Sequence, residues 1–200
     1  MKQLVTTIVL TALLIGCNNN TNSNSNSTST KDTAASPQAK NISRLIPILA
    51  HLDNNVSAHV KNIFDHYFHV KTALVNSNPD EAKKGANAIL RVLKDFDRSL
   101  LPADQKAVYD KPVRNVSAAA TGIIATNEIE TQREHFATLS NNAYELAKSF
   151  GGGKTLYHNH CPMAFNNKGA MWLSEINEVK NPYYGEKMLT CGTIEEVIEN

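Results

Sequence analysis

Apart from Met1 and Cys17, every methionine and cysteine of this chain lies beyond Gly153: Cys161, Met163, Met171, Met188 and Cys191. The stretch YHNHCPM, residues 157–163, adds His158 and His160 to that group. Thiolate and thioether are soft ligands that suit Cu(I), whereas zinc seldom takes a methionine. Pro162 pushes Cys161 toward an extended backbone. Side chains two apart on an extended segment share a face, so Cys161 and Met163 point one way and His158 and His160 the other. Met188 and Cys191 are three apart, which a single turn brings together. Cys191 also precedes Thr193-Ile194-Glu195-Glu196, the pattern of a capping box for a short final helix, whose N-terminus would favour the thiolate. The expected site is therefore Cys161, Met163, Met188 and Cys191 around Cu(I), with His158, His160 and Met171 as optional extras.

A plainer reading stands beside it. Two cysteines in an oxidising compartment form a disulfide more often than a metal site. A Cys161–Cys191 bridge would close a loop of about 30 residues and stabilise by roughly 3 to 4 kcal/mol. Met171 and Met188 would then be gap-fillers, and Trp172 a core anchor. Asn181-Pro182-Tyr183-Tyr184-Gly185 has the composition of a turn whose tyrosines pack on neighbouring structure or shield the site. A redox-active pair is the third possibility.

The compartment is read from the other end. MKQLVTTIVLTALLIGC carries one lysine and an apolar run from Leu4 to Ile15, too short to span a bilayer as a lone helix. Its close, Leu14-Ile15-Gly16-Cys17, has the form of a bacterial lipobox. Residues 1–16 are then a lipoprotein signal peptide and Cys17 is the lipidated residue, facing the periplasm. Asn18 in the following position favours the outer membrane. Residues 17–40 are Asn-, Ser- and Thr-rich and hold no large apolar side chain, so they form a flexible tether. Residues 41–200 form one domain, with 154–192 as its candidate metal-binding segment. A net charge of +1 with no basic face argues against a nucleic-acid partner.

The elements that must position these groups are helical. Val56, Val60, Ile63, Phe64, Tyr67, Val70 and Leu74 recur at three and four, the stripe of an amphipathic helix. Asn78-Pro79-Asp80-Glu81 starts a second helix carrying Ala82, Ala86, Ile89, Leu93 and Phe96. A third carries Tyr109, Val113, Val116, Ala120 and Ile123, and Pro112 must kink or restart it. Asn127 and Glu130 read as a capping box for a fourth, with Ile129, Phe136, Leu139, Ala143, Leu146 and Phe150 inward, stopped by Gly151-Gly152-Gly153. The fold class expected is all-α: an antiparallel four-helix bundle with an irregular C-terminal segment packed across it. Gln132 and Arg133 fall on the inner side of helix four and need partners, expected from backbone of that segment. His59, His66 and His69 read as boundary or solvated histidines. No nucleophile, base and orienter set stands out, so an enzyme is not expected.

In combination, Cys161-Pro162-Met163, Trp172-Leu173-Ser174, Asn181-Pro182-Tyr183-Tyr184-Gly185 and Met188-Leu189-Thr190-Cys191-Gly192 resemble the bacterial domain-of-unknown-function family DUF3347. Gln132-Arg133, Phe136 and Leu139-Ser140 fit as well, and the resemblance covers most of residues 55–198. That family occurs in small lipoproteins and on the tails of heavy-metal efflux adaptor subunits. The resemblance implies periplasmic handling of copper or a related soft metal, with such an adaptor as a partner. Cys161-Pro162-Met163 is also similar to the Cys-Pro-Met core of heavy-metal-binding modules, although Ala164-Phe165 stands where those have His-Pro.

Overall fold

Polar side chains that can bond to free backbone amides open the first two helices. The Asp53 carboxylate accepts from the Asn55 amide at 2.7 Å and begins α1 (Asn54–Val75). The Asn78 side chain accepts from the Glu81 amide at 3.1 Å, with Pro79 in the first position of α2 (Pro79–Asp95). A third helix, α3 (Ala103–Ile124), runs unbroken through the buried Pro112. The fourth, α4 (Ile129–Phe150), ends at Gly151, whose φ of 74° suits a residue without Cβ. The capping box expected at Asn127 does not form. Glu128 occupies the cap position without a side-chain bond, and the Asn127 amide oxygen accepts from the Lys83 ammonium instead.

The computed structural model describes residues 42–49 and 51–200; the expected signal peptide, Cys17 and the expected tether through residue 40 lie outside the described residues. Helices α1 to α4 pack in sequence as neighbours, and α4 returns against α1. Their inward stripes meet: Val60, Phe64 and Tyr67 of α1, Ala86 and Ile89 of α2, Val116 and Ile123 of α3, and Phe136, Leu139 and Leu146 of α4 belong to one buried cluster.

The all-α expectation is wrong. Four strands form a mixed sheet beside the helices: β1 (Ser43–Leu45), β2 (Leu156–Cys161), β3 (Ala170–Ser174) and β4 (Thr193–Ile198), in the order β1-β4-β2-β3. Strand β1 runs parallel to β4, while β2 is antiparallel to both β4 and β3. The expected final helix at Thr193 is thus a strand. Its alternation is hidden because His158 pairs with Glu196 and Asn159 with Ile194, which leaves Glu195 as a bulge. Leu156, Trp172, Leu173 and Ile198 join the same buried cluster as the helices. The segment therefore does not lie irregularly across a bundle; its strands share the bundle's core.

Tyr67 ties the two layers together. It is fully buried, its hydroxyl stands 2.9 Å from Ser140 Oγ, and it accepts from the Leu173 amide at 2.9 Å. Tyr67→Phe leaves that strand amide buried without a partner, so the urea midpoint should fall by an amount equivalent to about 2 kcal/mol. His59 also departs from expectation. It is buried, its ring stacks on Phe96 with centroids 3.7 Å apart, and its Nε2 lies 2.6 Å from the Tyr109 hydroxyl. It sits beside the apolar stripe of α1, but the C-terminal end of α2 and Tyr109 of α3 cover it, which the helix's own periodicity does not reveal.

Candidate thiol and thioether site

Cys161 closes β2 and is 0% exposed. Cys191 lies in the loop that leads into β4, half-buried. Their sulfurs stand 3.1 Å apart, unbonded. The Cys191 amide donates to the Met188 carbonyl at 3.1 Å, so Met188 to Cys191 is one turn, as their spacing suggested. Bonding to Cys161 Sγ, and secondarily burial, push the Cys191 thiol up from its usual range. With a strand rather than a helix following, no helix terminus opposes that shift.

The other expected ligands divide. Met163 does not continue the strand. Its φ of −85° and ψ of −13° put it in a turn, so the shared-face argument fails beyond Pro162. The turn goes on through Phe165, Asn166 and Asn167, all at positive φ. Met163 is nevertheless 45% exposed two residues from Cys161, with its carbonyl accepting from the Tyr184 hydroxyl at 2.6 Å. Met188 ends a tight helical turn, Gly185–Met188, and is half-buried.

His158, His160 and Met171 are placed elsewhere. Cys161 pairs across the sheet with Ala170, while His160 pairs with Met171 and His158 with Leu173. Directly opposed residues share a face, so these three stand on the face opposite Cys161. The His158 ring stacks on Tyr144 of α4 at 4.5 Å, and burial lowers its pKa from the ordinary value. His160 Nδ1 lies 3.2 Å from a Glu195 carboxylate oxygen. Among the described residues, no three His, Cys, Asp or Glu side chains are grouped so as to hold a metal ion. A soft cation here would depend on the two thiols and on thioether sulfur.

Sequence reasoning missed the machinery that holds the pair. Asn181 is fully buried: its Oδ1 accepts from the Tyr183 and Tyr184 amides at 2.8 and 3.3 Å, and its Nδ2 donates to the Cys191 carbonyl at 2.7 Å. Arg133 Nε donates to the Pro182 carbonyl at 2.9 Å, the expected link from helix four to the C-terminal segment. Gln132 reaches inside the bundle instead, its Nε2 within 3.2 Å of the Pro79, Ile123 and Thr126 carbonyls. Gly185, at φ +57°, lies where a Cβ would be 2.7 Å from Ser77 Oγ and 2.9 Å from the Val75 carbonyl, so the loop lies hard against the end of α1. The readable signal was the Asn-Pro pair, since an asparagine there bonds to its own backbone two residues on.

Residues 63–155 match the model of the family described as a protein of unknown function (DUF3347), the family that the resemblance named. The matched span is the helical layer from Ile63 onward. It includes Gln132, Arg133, Phe136, Leu139 and Ser140 and stops before Cys161. No curated protein and no solved structure matches the chain.

Proposed function

We propose that this chain is a lipid-anchored envelope protein, tethered through Cys17, that binds Cu(I) at Cys161 and Cys191 and buffers it or passes it to an efflux adaptor. Thioether sulfur from Met163 and Met188 completes the donor set. The observation that carries this reading is an exposed methionine two residues along the chain from one member of a thiol pair assembled from two distant stretches. A gap-filling methionine is buried, and Met163 is not. Two thiols with adjacent thioethers form a soft donor set that accepts Cu(I) and disfavours hard cations. His158 and His160, engaged on the opposite face, drop out of it. Because both thiols must lose their protons to bind, affinity should rise with pH.

A disulfide-stapled interaction module is the second reading, favoured by the 3.1 Å sulfur separation and the burial of Cys161. Native mass spectrometry of the full chain, extracted in mild detergent from cells grown with copper, separates the two. The expected species is heavier by one copper, with both thiols alkylatable after chelation. Cys161→Ser should abolish the copper adduct, and Met163→Leu should weaken Cu(I) affinity about tenfold without altering the fold. A metal-free species lighter by two hydrogens, indifferent to Met163→Leu, would replace copper with the disulfide.

A further inference from the structure

The run Asn181–Tyr184 reaches the chain around both thiols through main-chain carbonyls, at its two ends. The Tyr184 hydroxyl holds the Met163 carbonyl, two residues from Cys161. The Asn181 amide holds the Cys191 carbonyl itself. Between them the Tyr183 hydroxyl donates to the Met171 carbonyl on β3, and Arg133 fixes Pro182 to α4. Tyr183 is further wedged among Phe136, Phe165 and Trp172, with ring centroids 5.9, 5.3 and 5.9 Å away. The Asn181 amide proton also donates to the Leu189 carbonyl at 2.8 Å, so Asn181 grips the Cys191 turn at two points. On the far side, Gly192 lies where a Cβ would meet the His160 carbonyl and Trp172 Cη2 at 2.9 Å. The Cys191 turn is thereby held between the Asn181 amide and the Trp172 ring.

We infer that Asn181 and Tyr184 are positioning residues whose carbonyl contacts set the distance between Cys161 and Cys191. Neither touches a sulfur; each acts through the backbone of a cysteine-bearing turn. The effect of that arrangement is a high effective concentration of one thiol at the other. The inference rests on the thiol pair of the reading above, but its test uses no metal, so the two fail separately.

The test equilibrates the full chain with mixtures of reduced and oxidised glutathione. In that exchange the two cysteine thiols lose two protons and two electrons to glutathione disulfide. Its S–S bond breaks to give two glutathione thiols as the Cys161–Cys191 bond forms. Alkylation and peptide mass spectrometry then read the bridged fraction. Asn181→Asp keeps the acceptor for the Tyr183 and Tyr184 amides and loses only the donor to Cys191. It should lower the equilibrium constant about tenfold, and Tyr184→Phe about threefold. Tyr184→Phe alters one partly exposed hydroxyl and keeps the test decisive should the aspartate variant unfold. As a control, Glu175→Gln weakens the 2.6 Å bond to Lys71 that anchors the same segment elsewhere. It should lower the denaturant midpoint and leave the exchange constant at the wild-type value. Equal constants for wild type, Asn181→Asp and Tyr184→Phe would overturn the inference. So would a wild-type chain that forms no bridge at any glutathione ratio, or a Glu175→Gln constant that falls as far as the other two.

Discussion

Arg133→Ala should lower folding stability by about 3–5 kcal/mol and release the C-terminal segment from the helices. The guanidinium is 2% exposed, and its bonds differ in worth. Nε donates to the Pro182 carbonyl at 2.9 Å and one terminal nitrogen to the Leu74 carbonyl and Ser77 hydroxyl at 3.2 and 3.1 Å. The other terminal nitrogen pairs with Glu130, whose side chain is 67% exposed. Surface pairs of that kind contribute roughly 0–1 kcal/mol. The Pro182 carbonyl, by contrast, lies inside and loses its side-chain donor, while the Leu74 carbonyl keeps the Ser77 amide at 3.1 Å. Glu130→Gln should therefore be nearly silent, while Arg133→Lys, which has no planar fork to reach both ends, should recover little. Urea unfolding gives the stability, and limited trypsin digestion at Lys180 and Lys187 reports release of the segment. If Glu130→Gln costs as much as Arg133→Ala, the ion pair and not the carbonyl clamp secures the loop.

How far the fold could be read follows from where its information lies. Each helix carries its own: the stripe from Val56 to Leu74, the Asn78-Pro79 start and the Gly151 stop are local patterns, and each agrees with the structure. The sheet is not written that way. Strand β4 buries Val197 and Ile198 in succession and has Glu195 bulged out, so no period of two appears along it. Thr193 to Glu196 instead imitates a helix start, a local signal overruled by pairing with β2 and with the distant β1. Strand β1, three residues long and far from β4 in the chain, could not have been anticipated from its own sequence.

The same division runs through the site. Residue types alone singled out Cys161 and Cys191, and their meeting across the fold agrees with either reading of the pair. The histidine placement followed from strand alternation. What alternation could not tell was where the strand stops: β2 ends at Cys161, and the turn after Pro162 carries Met163 out toward solvent. Nor could it find Asn181, whose partner carbonyl belongs to a residue ten positions on. Helix-terminus activation of Cys191 went with the final helix. The thiol is raised rather than lowered, by its bond to Cys161 and by burial.

Between pH 6.5 and about 4 the protein should lose on the order of 3 kcal/mol of stability through His59 alone. Burial against Phe96 and Tyr109 lowers its pKa from 6.5 to about 4, with no acidic neighbour to restore the charge. The folded state therefore binds fewer protons than the unfolded chain throughout this window. Above pH 6.5 both states hold the neutral ring and the stack makes its full contribution. As pH falls below 6.5 the unfolded chain takes up the proton first and is stabilised relative to the fold. Below about 4 both states are charged and the loss levels off. His158, lowered by burial against α4, acts with the same sign. The carboxylates lowered by their partners, Asp65 among them, lose their contribution only at more acidic pH, below the ordinary carboxylate range. Urea midpoints taken at half-unit steps from pH 7.5 to 4 should hold nearly level down to about 6.5 and decline below it, and His59→Gln should flatten most of that decline even though its midpoint starts lower. A variant curve parallel to the wild type would mean that the proton enters elsewhere, with His158 the next group to replace.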